Sequence, residues 1–424
     1  MRSLIPLLGA ALALSACATT PVVDEAKPAA LGEASDLTLE RVVMLMRHGV
    51  RPPTKDPAET GVTDEIWPTW SAPFGALTQH GYDAVKLLGQ WDRTQWVARG
   101  ILPAQGCPSA SEITVAASFK PRTQDTARAL VEGMLPGCTV AVAHPASEEE
   151  DAEFHPLEAH SVAIDSDAAF AAQLALAPPG GLLAERERQS RRLQLLSRVL
   201  GCCTAPLCAE SALPAGCNLS QMPVGLVRNA NDRADVGQPF GTASTASQTL
   251  LLEYLEGMPM SQVGWGRVTR DQIEDLLELN TLKFRYEGRA PYVAARAASP
   301  LMARMLTAME SGPKLTVLAG HDTNIADMGG MLDLHWHVPT YPRDNPPPGG
   351  ALGFEVLKDA SGARFVRAFY RAQTMDQIRY LQPLSGENAP SHQYLDIPGC
   401  DAPCPLPTFE RLVRSRLVPF TPAA

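Results

Sequence analysis

The chain has 424 residues, 45% hydrophobic and 19% charged, which is ordinary globular composition with length enough for two or three domains. A formal charge of −10 at pH 7 argues against nucleic acid as a partner, because that binding is driven by clustered Lys and Arg. It leaves an anionic small substrate open, provided that cations are concentrated in one pocket.

The N-terminus reads as a processing signal. Arg2 gives a positive start, residues 4–14 an apolar stretch too short to span a bilayer with margin, and Leu14-Ser15-Ala16-Cys17 a cleavage region. That tetrapeptide resembles the bacterial lipobox, which implies a lipoprotein signal peptide over 1–16 and lipidation of Cys17. With Ala18 following, it further implies a periplasmic protein anchored in the outer membrane, the lipid being its only membrane contact. The rival is a plain secretory peptide cut near Ala18. Residues 17–38 are rich in Ala and Pro and read as a flexible tether. Of nine cysteines, removing Cys17 leaves eight, an even number that suggests disulfides in an exported chain. Cys400 with Cys404 and Cys208 with Cys217 can close short loops, and Cys107 and Cys138 flank a strand-helix segment. Cys202 and Cys203 are left over as neighbours, so the pairing over 202–217 stays open. A zinc site is disfavoured, since no histidines sit at ligand spacing near this cluster.

Arg41-Val42-Val43-Met44-Leu45-Met46 is an apolar run that reads as a strand buried on both faces. It runs into Arg47-His48-Gly49-Val50-Arg51. Guanidiniums match phosphate oxygens and stay charged. Beside His48 they oppose its protonation and leave a neutral imidazole able to act as a nucleophile. A lone Arg-His pair after a strand is more often a solvated turn, and the segments further along decide against that here. Pro52-Pro53 make a stiff exit that keeps Thr54 and Lys55 near the same pocket. Thr78 is an N-cap for a helix to about Val97; 113–117 is the next strand and 123–134 the next helix, with Arg122 at the turn between them. Strand followed by helix, repeated, signals an α/β fold, a mostly parallel sheet flanked by helices.

Over 145–287 helical signals dominate, at 182–200, 248–255 and 270–284, with 237–247 a polar loop. The segment reads as a helical cap domain inserted into an α/β catalytic domain of 39–144 and 288–424. Residues 315–319 form a second buried strand, ending in Gly320-His321-Asp322-Thr323-Asn324 ahead of a helix. Ligands of parallel α/β sheets bind outside the carboxyl ends of strands, and Arg47-His48, Arg122 and His321-Asp322 each stand at such an end. A Pro-rich stretch at 339–348 and a hairpin of 352–357 with 364–370 complete the chain. His335, His337, Trp67 and Trp265 read as loop or packing residues, and His80, His144, His155 and His160 carry no signal.

This constellation suits phosphoryl transfer, where fixed cations stabilise charge on the non-bridging oxygens. His48 attacks phosphorus, Arg47, Arg51, Arg122 and His321 hold the oxygens, and Asp322 protonates the leaving alcohol and then activates water. Neither metal nor cofactor is called for, since four cationic groups fill that role.

Arg47-His48-Gly49-Val50-Arg51-Pro52-Pro53-Thr54-Lys55 together with Gly320-His321-Asp322-Thr323-Asn324 resembles the histidine acid phosphatase branch of the histidine phosphatase superfamily, and within it the bacterial periplasmic phytases and glucose-1-phosphatases. Trp67-Pro68-Thr69-Trp70, Gly257-Met258-Pro259, Gly264-Trp265-Gly266-Arg267 and Pro347-Pro348-Gly349-Gly350 extend the likeness in order. The resemblance implies a phosphoglycerate mutase-like fold, a covalent His48 intermediate, Asp322 as proton donor and an acidic pH optimum. The expected substrate is a phosphomonoester, phytate or a sugar phosphate, and the chain reads as a monomer. Thr323-Asn324 is similar to the phytase branch, and Lys55 to a lysine that contacts distal phosphates. Gln248 stands where phytases have a glutamate, and a pocket arginine expected near Ala297 is replaced by the adjacent Arg296. Thr54, Lys55, Gln248 and Arg296 thus make the expected substrate-binding set. Phytase is the leading reading, ahead of a broad acid phosphatase or glucose-1-phosphatase, a phosphomutase, and a non-catalytic lipoprotein that binds phosphate esters.

Overall fold

A computed structural model describes residues 37–229 and 233–421; the expected signal peptide, Cys17 and nearly all of the tether lie outside them. In chain order, β1 (Thr38–Arg47), α1 (Gln79–Ala98), β2 (Ile113–Ala117), α2 (Pro121–Met134) and β3 (Val142–Ala143) come first. Then follow α3 (Ser166–Leu174), α4 (Gly181–Arg188), α5 (Ser190–Leu200), α6 (Ala205–Glu210), a small strand pair β4 (Leu226–Arg228) and β5 (Ala234–Val236), α7 (Phe240–Leu255) and α8 (Arg270–Glu287). The chain returns through α9 (Pro291–Ser311), β6 (Leu315–Gly320), α10 (Asp322–Leu332), β7 (Ala351–Lys358), β8 (Arg364–Ala372), α11 (Met375–Arg379), β9 (Ser391–Leu395), β10 (Cys404–Pro405) and α12 (Leu406–Arg416).

The main sheet runs β10-β8-β7-β1-β6-β2-β3, with β9 on β8. Its centre, β1-β6-β2-β3, is parallel, and β7 to β10 add antiparallel strands on the other flank. Buried on both faces, β1 alternates its side chains between two cores. Val43 and Leu45 join one, while Val42, Met44 and Met46 join that under α1 and α2. Arg47 pairs with Gly320 and Ala117 with Ala319, so three parallel strands end level. That register sets the site, because the residues just beyond each strand are delivered to one edge.

Thr78 caps α1 as expected, its hydroxyl accepting from the Gly81 amide. Only 237–239 of the expected polar loop are one: α7 starts at Phe240, and its small Ser, Thr and Ala residues conceal a face on which Ala243, Ser244, Ala246 and Ser247 are buried. The expected helix over 182–200 is two, α4 and α5, meeting at Gln189. Helix α9 has an Ala-rich, helix-favouring sequence, but Pro300 inside it argues against one continuous helix; tertiary packing that buries Val293, Leu301, Met302 and Met305 holds it together. Among the described residues, the segment after β3 and up to α8 adds no strand to the main sheet. Disulfides join Cys107 to Cys138, Cys208 to Cys217 and Cys400 to Cys404, and Cys202 and Cys203 bridge each other. Trp67 and Trp265 pack together at 4.8 Å between ring centroids.

Helices α1 and α2 meet backbone to backbone. A Cβ on Gly89 would lie 2.2 Å from the Leu130 carbonyl oxygen, and one on Gly133 2.0 Å from that of Lys86. This contact fixes where α2 begins, and so where Arg122 stands. Gly133→Ala is expected to lower the unfolding free energy by about 1–3 kcal/mol, read from the denaturant midpoint; an unmoved midpoint would mean that the helices part freely.

Candidate active site

The backbone beyond β1 is held from two directions. The Arg47 amide donates to the Gly350 carbonyl (2.9 Å), the His48 amide to that of Gly320 (3.0 Å), and the Gly349 amide to that of His48 (3.1 Å). Gly350 permits this approach, since a Cβ there would sit 2.7 Å from the Tyr370 hydroxyl. The Pro-rich 346–350 stretch is therefore part of the site wall. Arg47 is 0% exposed; its Nη1 donates to the Pro346 carbonyl at 2.5 Å and its Nη2 lies 2.9 Å from Asp322 Oδ2.

Two neighbours determine the His48 tautomer. Nδ1 is 2.9 Å from the Gly49 carbonyl oxygen, which only accepts, so Nδ1 carries the hydrogen. Nε2 is 3.3 Å from Arg51 Nε, which only donates, so Nε2 presents its lone pair. Burial, then Arg51, Arg122, Arg47 and His321, hold this imidazole well below its ordinary pKa. Burial and the nearby Arg122 push Arg51 down to about 9, with Asp322 opposing. Such crowding of like charge is relieved by an anion.

At the end of β6, His321 caps α10: its amide donates to Asn324 Oδ1 at 2.9 Å. Its ring centroid is 5.7 Å from that of His48. Arg122 Nη2, from the first turn of α2, is 3.3 Å from His321 Nδ1. The Thr323 amide donates to Asp322 Oδ1 (3.0 Å) and the Gln248 amide group to Oδ2 (3.3 Å). Burial alone would raise the Asp322 carboxyl, but Arg47, Arg51, Lys283 and the Thr323 amide together keep it below its usual value. Segments near residues 48, 122, 248 and 321 thus converge on one edge of the sheet.

Thr54 and Lys55 stand exposed in the turn after Pro53. Arg296, one of the expected substrate contacts, donates to the Ala163 and Tyr292 carbonyls and lies 3.4 Å over the Tyr292 ring. Its helix presents the neighbouring Ala297 to the interior instead, as a buried small residue. Sequence reading missed Ser118 and His155, each 3.2 Å from His321 Nε2. His155 lies in irregular chain before α3, where no periodicity marks it. Among the described residues, no group of three or more His, Cys, Asp or Glu could hold a metal ion.

The description "histidine phosphatase superfamily (branch 2)" matches residues 38–182 and 236–371. Over 407 residues the chain is 32% identical to the phytase of Escherichia coli strain K12, across 91% of this chain and 93% of that one. To the glucose-1-phosphatase of Salmonella typhimurium it is 29% identical over 396 residues, across 89% and 92%. Hafnia alvei phytase, solved in complex with myo-inositol hexakis sulphate, superposes with a TM-score of 0.83 at 33% identity, over 91% of this chain and 98% of that one.

Arg51→Ala is expected to weaken binding of inorganic phosphate roughly 10- to 100-fold, measured by titration calorimetry. An affinity within twofold of the native protein would place the anion elsewhere.

Proposed function

This chain belongs to branch 2 of the histidine phosphatase superfamily and is a phosphomonoester hydrolase, and we propose that it works through a phosphohistidine on His48, with an inositol polyphosphate such as phytate as substrate. The observation that carries this reading is the His48 tautomer, with Nε2 unprotonated inside a cluster of guanidiniums. In the reaction, Nε2 bonds to phosphorus as the ester P–O bond breaks, and the electron pair goes to the leaving oxygen, which Asp322 protonates. Arg47, Arg51, Arg122 and His321 hold the phosphoryl oxygens throughout. Water then attacks phosphorus, Asp322 takes its proton, the P–N bond breaks and phosphate leaves. Because burial and cations suppress protonation of His48, the nucleophile stays competent in acid. The leaving-group proton enters with the substrate: a phosphomonoester loses its second proton near pH ~6, so the monoanion brings one that Asp322 relays.

A polyanionic substrate is supported by further cations around the cluster. Lys283 acts on Asp322 and Lys120 on His321, and Lys55 is exposed beyond the first motif. The engagement of Arg296 with Tyr292 favours a second reading, a broad acid phosphatase or glucose-1-phosphatase, since it removes one expected contact to a distal phosphate. Residues 145–287 serve as the cap over the site, through the Gln248 contact with Asp322. Export to the periplasm with an anchor at Cys17 is supported by four disulfides, bonds that persist in oxidising compartments. Among the described residues no helix is long and apolar enough to cross a membrane.

Native rates on phytate, glucose 1-phosphate and p-nitrophenyl phosphate near pH ~5 test the substrate class; phytate slowest of the three would favour the second reading. His48→Ala is expected to abolish both turnover and trapping of labelled phosphoenzyme, and persistence of either would remove His48 from its role. Asp322→Asn is expected to slow phytate and glucose 1-phosphate at least tenfold more than p-nitrophenyl phosphate, whose leaving group needs no proton. Equal slowing of all three would deny Asp322 the part of proton donor.

A further inference from the structure

Behind His321 stands a second imidazole that the proposed reaction leaves unused. His155 Nε2 is 3.2 Å from His321 Nε2 and 3.2 Å from Ser118 Oγ, and Ser118 Oγ is 3.2 Å from His321 Nε2. The three atoms form a closed triangle. The two rings lie 4.9 Å apart between centroids, and Phe119 and His155 form a T-shaped pair at 5.3 Å. His155 Nδ1 points the other way, 3.9 Å from Glu148 Oε1, and the side chain is 15% exposed.

The Ser118 hydroxyl also favours the charged form of the Asp151 carboxylate, whose oxygens accept from the Phe119 and Phe154 amides. Two ring nitrogens facing at this distance cannot both carry hydrogen. At most one proton therefore lies between them. Burial, with Lys120, Arg122 and Arg233, pushes His155 down to about 4. Burial, then Arg122, His155, Arg51 and Lys120, hold His321 well below its ordinary value. In mild acid both rings are neutral, and the variable is where the proton sits. Arg122 Nη2, a donor only, is 3.3 Å from His321 Nδ1, so without an anion Nδ1 accepts and His321 keeps its hydrogen on Nε2. An oxyanion lodged between Arg122 and His321 reverses the demand, because its oxygen needs a donor on Nδ1.

We propose that His155 is a positioning residue for His321: it accepts from His321 Nε2 when the site is empty and donates to it when an oxyanion is bound, fixing the Nδ1–H tautomer that faces the anion. The inference rests on the reading of His321 as a donor to a phosphate oxygen. Protons balance. Solvent water gives one to His321 Nδ1, the Nε2 proton crosses to His155 Nε2, and His155 returns its Nδ1 proton toward Glu148 and solvent, so the monoanion's own proton stays free for Asp322. Both rings end as neutral as they began.

Phosphate binding by calorimetry and p-nitrophenyl phosphate hydrolysis are compared in the native protein, His155→Leu and His155→Asn. Leucine fills the space without a donor, and asparagine restores an N–H. Leucine is expected to weaken phosphate binding about tenfold and asparagine to stay within about threefold of native. A packing role gives the opposite order, so leucine equal to native, or both variants equally impaired, overturns the inference. NMR of the native protein with ¹⁵N-labelled histidine is independent of whether the variants fold. The His321 hydrogen is expected to move from Nε2 to Nδ1 on adding inorganic phosphate. Native binding and turnover with an unchanged His321 tautomer overturn the role of His155 alone; no binding and no turnover overturn the phosphatase reading and this inference with it.

Discussion

A guanidinium with no exposure to solvent needs its charge answered from within, and Arg47 is answered by Asp322 and the Pro346 carbonyl. These partners come from the start of α10 and from the loop before β7, hundreds of residues further along the chain. Burying that one cation obliges three distant segments to meet, and the meeting place is the mouth of the site. Removing Asp322 would strip Arg47 of its counter-charge as well as the reaction of its acid. In the proposed chemistry, therefore, fold and function draw on the same ion pair.

Further charges behind the site repeat the device. Arg371, on β8, donates to the Gly349 carbonyl at 3.0 Å and to Asp92 of α1 at 2.6 Å, with both members of the ion pair almost wholly buried. Burial pushes Asp92 up to about 6 against the pull of Arg371. Glu355 of β7 is held by Arg99 and Arg367 in the same layer, and they keep its carboxyl low despite burial. The loop that receives Arg47 is thus braced from below by charge as well as by packing. Such pairs contribute little net stability against apolar replacements, but leaving one member alone is costly, and that asymmetry favours a single arrangement of the wall.

The strands and the two long motifs were legible because a buried parallel strand is a short apolar run and the ligand edge lies at its carboxyl end. What escaped was whatever had a period written in small residues or broken by a proline. Helix α7 opens on Ser, Thr and Ala, whose burial depends on α8 lying against them, and α9 hides behind Ala and an internal Pro300. Arg296 stands one residue from the position expected to line the pocket, and one residue on a helix turns a side chain by about 100°. His155 was invisible for another reason: nothing local distinguishes it, and its meaning comes only from proximity to Ser118 and His321 across the fold.

The cluster contains an opposition that neither motif reveals alone. Guanidiniums that keep His48 unprotonated, as a nucleophile must be, also favour the ionised form of Asp322, which a proton donor must not be. No fixed arrangement of these charges serves both needs. An arriving phosphate ester resolves the conflict, since its negative charge offsets Arg47, Arg51 and Arg122 and loosens their hold on the carboxylate at the moment a proton is wanted there. The same anion asks His321 to donate where Arg122 had made it accept. In the proposed chemistry, substrate charge is thus a working part of the site, and an uncharged analogue of the same shape would leave the proton on the wrong atoms.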